Sequence, residues 1–206
     1  MNRIESIIYI NLDHRTDRRA EFEVECARLN IPPEKVVRFP AIKMEDPTVG
    51  CASSHARALR LAHSLGVGNA LICEDDFAFH EEPRVVQRKL AHFFNLVDAG
   101  GMPWSAVQLA HQVYESERFD GVVSIARRAS NAAGYLVNRP LMQPLAQTIE
   151  DAIPKLAETK MHWHYANDVV WCEHMADGRW FFFTERLGCQ RPSYSDLSRA
   201  FVHERR

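Results

Sequence analysis

The stretch SIIYINL at residues 6–12 is apolar at almost every position and rich in β-branched side chains, and it breaks off abruptly into DHRTDRR. It reads as a buried strand. The next segment changes period. DRRAEFEVECARLNI (17–31) places Phe22, Cys26 and Leu29 at helical spacing, and Pro32-Pro33 stops it. KVVRFPAI (35–42) reads as a second short strand, followed by the polar loop KMEDPTVG. ASSHARALRLAHSLG (52–66) then predicts a helix capped by Ser53 or Ser54 and closed by Gly66. NALIC (69–73) is a third strand. Strands and helices alternating over the first hundred residues predict an α/β fold with a mostly parallel central sheet.

The later elements are less regular. Residues 82–98 suggest a helix with Pro83 in its first turn, 105–110 a strand, and 119–128 a strand after a turn at Asp120-Gly121. AGYLVN (133–138) is a short apolar piece leading into helical material from Arg139 to about Glu158. ANDVVWCEHMA (166–176) is expected to be helical, and RWFFFTE (179–185) a core strand. With no internal repeat and no convincing linker, residues 1–206 are expected to form a single domain.

A formal net charge of −2 exerts no global pull toward nucleic acid or an anionic membrane. The five cysteines are widely spaced, without a CxxC pair, which suggests reduced thiols in a cytoplasmic protein. The apolar start at Ile7–Leu12 is too short for a leader peptide. No segment approaches the ~20 apolar residues of a membrane span.

Three stretches carry chemistry. Glu74, Asp75 and Asp76 follow directly on the third strand, where α/β folds place their ligands. In an extended chain Glu74 and Asp76 would share a face and Asp75 would point away. Two carboxylates on one pocket suit Mg²⁺ or Mn²⁺ carrying a phosphorylated substrate; the alternative is a capping or solvated turn. At the end of the first strand, Asn11, Asp13, Arg15, Arg18 and Arg19 surround a helix start, which attracts anions, or else form a solvated first turn. In GCASSHARA, Ser54 and His55 can present donors to a phosphate or sugar, or serve as an ordinary cap and a surface histidine.

Taken together and in order, these stretches resemble glycosyltransferase family 25, the group of lipooligosaccharide and collagen hydroxylysine galactosyltransferases. IYINLDHRTDRR, GCASSHARAL, LICEDDFAF, AGYLVNRPLMQPL and CQRPSYSDLS carry the likeness across most of residues 6–198. The resemblance implies a GT-A-type, Rossmann-like fold and inverting transfer of a hexose, with Mn²⁺ the usual metal. The donor it implies is a UDP-sugar, UDP-galactose or UDP-glucose. Glu74-Asp75-Asp76 stands where such enzymes carry Asp-x-Asp, so the metal role falls on Asp76 with Glu74 or Asp75 near the ribose or metal. Asn11, Asp13, Arg15 and Arg18 would face the nucleotide, and Ser54 and His55 the donor or its diphosphate. The chain is shorter than many members and is expected to lack the signal peptide and ER-retention ending of the collagen enzymes, ending in HERR, which points away from the collagen role and toward a bacterial or viral cytosolic setting; lipopolysaccharide biosynthesis is the pathway the resemblance implies.

Asp168 is the candidate base for the acceptor hydroxyl and Asp196 the reserve. His162-Trp163-His164 invites a metal reading, with Asp168 or His174 as further ligands, but aromatic loop residues that pack or touch the acceptor explain it as well. Two rivals stay open: another metal-dependent enzyme acting on nucleotides (a nucleotidyltransferase or phosphohydrolase), and a non-catalytic sugar-nucleotide-binding module. A glycan, a protein side chain and a modified base are all open as acceptor.

Overall fold

The computed structural model describes residues 1, 3–195 and 200–202 of the 206-residue chain. The first half alternates as the sequence pattern dictates. Strand β1 is Ser6–Asn11, helix α1 Thr16–Arg28, β2 Val36–Pro40, α2 Pro47–Ser64 and β3 Asn69–Glu74. There follow β4 (Phe77–Phe79), α3 (Pro83–Ala99), β5 (Ala106–Gln108), β6 (Gln112–Arg118), β7 (Val123–Ser130) and β8 (Gly134–Asn138). The long helix α4 (Arg139–Thr159) leads through the one-turn helices α5 (His162–Tyr165) and α6 (Asn167–Val170) and a 3₁₀ segment to β9 (Trp180–Phe183) and β10 (Gly188–Gln190). β11 (Ser193–Ser195) and β12 (Ala200–Val202) pair with each other.

Eight strands form one sheet in the order β2-β1-β3-β8-β5-β9-β7-β6. The β2-β1-β3 block and the β5-β9 pair are parallel. β8 enters between β3 and β5 running against both, and β7 and β6 are antiparallel additions at the far edge, so the second half of the sheet is mixed.

β1 and β3 read as continuous apolar runs because both their faces are covered. Alternate residues Ile7, Tyr9, Leu71 and Cys73 pack with Phe22, Leu90 and Phe93 from α1 and α3. Their neighbours Ile8, Ile10, Ala70 and Ile72 pack with Ala56, Leu59, Met142 and Leu145 from α2 and α4. No helix among the described residues is long and apolar enough to cross a membrane.

Two expectations need correction. Helix α2 begins five residues before position 52, because Asp46 accepts a hydrogen bond from Thr48 N (2.9 Å) and Pro47 sits in the first turn. Ser53 and Ser54 are therefore interior residues, not caps, and return their hydroxyls to the carbonyls of Val49 and Gly50, each at 2.7 Å. Second, the segment 166–176 is not one helix but α6 followed by the 3₁₀ turn Trp171–Met175. The strand expected after the turn at Asp120-Gly121 is present as β7, which is the second arm of a hairpin. Asp120 Oδ1 accepts from the amides of Val122 and Val123 at 2.6 and 2.7 Å, and the first arm, β6, is nearly all exposed.

Candidate active site

A cleft of about 1180 Å³ opens beyond the carboxyl ends of β1 and β3, and Arg18, Glu74, Asp75, Asp76, Asn131 and Asp168 are among the residues lining it. This is the position the topology favours for a ligand. The volume lies slightly above the few hundred to ~1,000 Å³ of an ordinary small-molecule pocket.

Asn11, the last residue of β1, is buried and fixes one corner. Its Nδ2 donates to Asp75 Oδ2 at 2.7 Å and to the Arg15 carbonyl at 3.0 Å, and its Oδ1 accepts from Arg38 Nε at 2.9 Å. Arg38 also pairs with Asp13, whose side chain is otherwise turned to solvent. Arg15 lines the cleft with its guanidinium on Asp17.

The chain turns immediately after Glu74, so strand alternation does not extend through the triplet. Asp75 consequently does not point away. Arg18 Nη1 lies 2.9 Å from Asp75 Oδ1 and 3.0 Å from Asp76 Oδ2, tying both aspartates to the first turn of α1. The turn is held from behind. β10 pairs antiparallel with β4, Arg191 N donates to the Asp76 carbonyl at 2.8 Å, and the Phe77 ring is buried against Gly134 and Gly188.

One arginine does not balance this corner. Burial, and then the charge of Glu74, push the Asp76 carboxyl up to about 7 against the pull of Arg18. Burial also raises Asp75, although Asn11 and Arg18 act the other way. Asp76 Oδ1 is buried and receives no hydrogen bond from any described residue. A buried carboxylate oxygen without a donor is costly, and a hard cation ligated by oxygen is the group that relieves it. Asp76 Oδ1 is therefore an oxygen ligand open to Mg²⁺ or Mn²⁺, although the three acids of the triplet do not themselves converge on one point among the described residues.

Glu74 looks toward a different set of partners. Its Oε2 accepts from Gln190 Nε2 at 2.8 Å, and its Oε1 lies 3.5 Å from His55 Nε2 and 3.8 Å from Cys51 Sγ. His55 Nδ1 reaches the buried Tyr135 hydroxyl at 3.3 Å. Burial opposes ionisation of Glu74, but the His55 ring, Arg18 and Gln190 outweigh it and hold the carboxyl below its ordinary value. Burial keeps the Cys51 thiol well above its ordinary value. Ser54 lines the same wall, its hydroxyl also accepting from Ile42 N at 2.8 Å.

Across the cleft, Asp168 Oδ2 accepts from Asn131 N at 3.0 Å. Burial, with the Glu74 charge, raises its carboxyl above the ordinary range. Asp196 lies outside the described residues. His162 lines the cleft, Trp163 is 59% exposed, and His174 is engaged by Thr148 Oγ1 at 2.9 Å, so the His-Trp-His run does not assemble with His174 into one cluster. Arg38 and Gln190 are site residues not foreseen in the sequence. A lone arginine inside the strand VVRFP is the one local sign of the first, whereas Gln190 arrives only through the β4–β10 pairing.

No protein-family model matches the chain, and no curated protein matches it. Solved structures do. A protein described as mannose-1-phosphate geranyltransferase from Thermus thermophilus superposes with a TM-score of 0.53 at 10% identity, covering 88% of this chain and 73% of that one. A197 from STIV superposes with a TM-score of 0.50 at 12% identity over 98% of this chain and 95% of its own. A glycosyltransferase involved in glycosylation of the major capsid of PBCV-1 gives a TM-score of 0.43 at 10% identity, covering 88% of this chain and 95% of that one. At such identities the first two matches establish the fold, which is α/β and GT-A-like.

Proposed function

We propose that this chain is a metal-assisted glycosyltransferase that moves a hexose from a nucleotide sugar to an acceptor hydroxyl with inversion. The observation that carries the reading is the electron-rich corner at the end of β3. Asp75 and Asp76 share Arg18, and Asp76 Oδ1 is left without a donor among the described residues. A divalent cation, Mn²⁺ or Mg²⁺, would be held by Asp76 and would supply charge neutralisation for a departing diphosphate. The resemblance to family 25 motifs favours UDP-galactose or UDP-glucose as donor. The likeness to a protein named for mannose-1-phosphate supports the same broad chemistry of activated sugars.

The chain's own residues then divide the work. Arg18 orients the two aspartates and brings positive charge to the diphosphate side. Asn11 fixes the nucleotide end of the corner through Asp75. Asp168, raised by burial and aimed into the cleft opposite Glu74, takes the proton of the acceptor hydroxyl as it attacks the anomeric carbon. A single displacement from the face opposite the leaving group inverts the configuration.

The test is a thermal-shift screen of nucleotide sugars with and without Mn²⁺. A ligand that binds only the folded chain raises the midpoint by mass action. Selective stabilisation by one UDP-hexose, dependent on the metal and lost in Asp76→Ala, supports the reading. Stabilisation by no nucleotide sugar sinks it. Release of pyrophosphate from a sugar phosphate and a nucleoside triphosphate, without sugar transfer, would instead support nucleotidyl transfer.

A further inference from the structure

We propose that Cys51, His55 and Glu74 form a second metal centre, suited to a borderline-soft divalent ion of the Zn²⁺ class and separate from the hard-cation seat at Asp76. Cys51 and His55 are four residues apart on α2, one turn along the same face. Glu74 approaches them from the last position of β3. One ligand atom from each residue lies within 4.8 Å of the other two.

The spacing is close to that of a loaded centre. Tetrahedral zinc, with bonds of about 2.3 Å to sulfur and 2.0–2.1 Å to nitrogen or oxygen, separates its ligand atoms by roughly 3.3–3.6 Å. Here Nε2 of His55 stands 3.5 Å and Sγ of Cys51 3.8 Å from Glu74 Oε1, so these two separations need contract by only a few tenths of an ångström, and the third, between Cys51 and His55, is under 4.8 Å.

The surroundings have the form that orients metal ligands. Tyr135 Oη lies 3.3 Å from His55 Nδ1; in the tautomer that donates this bond, the Nε2 lone pair points toward the other two ligands. Gln190 holds the far oxygen of Glu74 at 2.8 Å, leaving Oε1 to the trio. All three ligands line the cleft, so the fourth position faces the space where a reactant sits. Binding replaces the S–H bond of Cys51 by a metal–sulfur bond, and the proton leaves to solvent. A thiolate and an imidazole select against Mg²⁺ and Mn²⁺, which prefer oxygen. Glu74 then belongs to this centre, and Asp75-Asp76 serves the other.

The test uses the full chain stripped of metal and titrated with Co²⁺ alone, so it is independent of any nucleotide or transfer assay. The expected result is one equivalent of Co²⁺ with a thiolate-to-cobalt charge-transfer band, displaced by Zn²⁺ and unaffected by excess Mn²⁺. The band is lost in Cys51→Ser and retained in Cys172→Ser. Gln190→Leu, which leaves the ligands in place, weakens Zn²⁺ affinity about 10- to 100-fold. Should Cys51→Ser fail to fold, His55→Gln provides the same loss. A wild-type chain without the band, a band that survives Cys51→Ser, or Co²⁺ displaced by Mn²⁺ would each overturn the proposal.

Discussion

Asn11 Nδ2 and Asp75 Oδ2 stand 2.7 Å apart, a buried hydrogen bond that ties the end of β1 to the turn after β3. Every polar atom of the Asn11 side chain is engaged, and Asp75 is itself buried. Replacing Asn11 by Leu keeps similar bulk and leaves Asp75 Oδ2 without its donor. A buried group so exposed costs about 1–3 kcal/mol. Urea denaturation of Asn11→Leu is expected to show a lower midpoint with an unchanged slope. An unshifted midpoint would mean the bond contributes nothing.

The Asp76 carboxyl, raised by burial and by Glu74 to about 7, gives a stability dependence of defined sign. Below about pH 3 the residue is protonated whether the chain is folded or not. As pH rises toward 7 the unfolded chain releases this proton first, so the cation-free folded state loses stability through that window and levels off above it. Asp76→Asn is therefore expected to raise the melting temperature relative to wild type at pH 8, with the difference shrinking as pH falls and gone by about pH 3. Saturating Mn²⁺ should reverse the order at pH 8. Paired thermal melts at both pH values decide the matter.

For Asp168, burial likewise holds the carboxyl above its ordinary range, here with Asn131 N as its backbone partner. If it takes the acceptor's proton, Asp168→Asn lowers turnover by roughly 10²–10⁴-fold and leaves donor affinity near that of wild type. The acidic limb of the pH–rate profile is expected above the usual carboxylate range and absent from the variant. Near-native turnover in Asp168→Asn would remove the assignment.

Phe77 directly follows Asp76 and has no room to move. A Cβ added at Gly134 would come within 2.5 Å of its ring, and one at Gly188 within 2.4 Å. Gly134→Ala is expected to destabilise the chain by about 1–3 kcal/mol, as overpacked cores do, and to weaken cation binding at Asp76 as the turn shifts. The double variant Gly134→Ala with Phe77→Leu should recover part of both losses. Calorimetric titration with Mn²⁺, alongside urea denaturation, would show whether it does.

The parts of the fold that were legible are those where one segment decides its own fate. SIIYIN and NALICE are buried on both faces almost throughout, and an apolar run of that length has few other places to go. The acids after β3 were legible for the same reason, since the chain must leave the core somewhere. Their directions were not. Asp75 turns toward Arg18 because a turn, not a strand, carries it, and that turn is held by β10, more than a hundred residues later. β6 was missed because an exposed edge strand such as QVYESER has almost no apolar pattern to read. Ser54 looked like a cap because the true one, Asp46 before Pro47, lay in a segment rich in loop-forming residues.

The reversed strand β8 divides the cleft along a seam. One wall comes from residues 10–76 with the return of Gln190 and Arg191, and the other from 112–114, 130–133 and 162–168. The far wall is encoded in residues 112–168, whereas the near wall is encoded mainly in residues 10–76 and is completed by Gln190 and Arg191 from beyond β9. Selection can thus recut the far side for a new recipient while the near side is inherited unaltered, and a chimera that exchanges only the segment from the loop before β5 to the end of α6 would leave Gln190 and Arg191 in place behind the acidic turn.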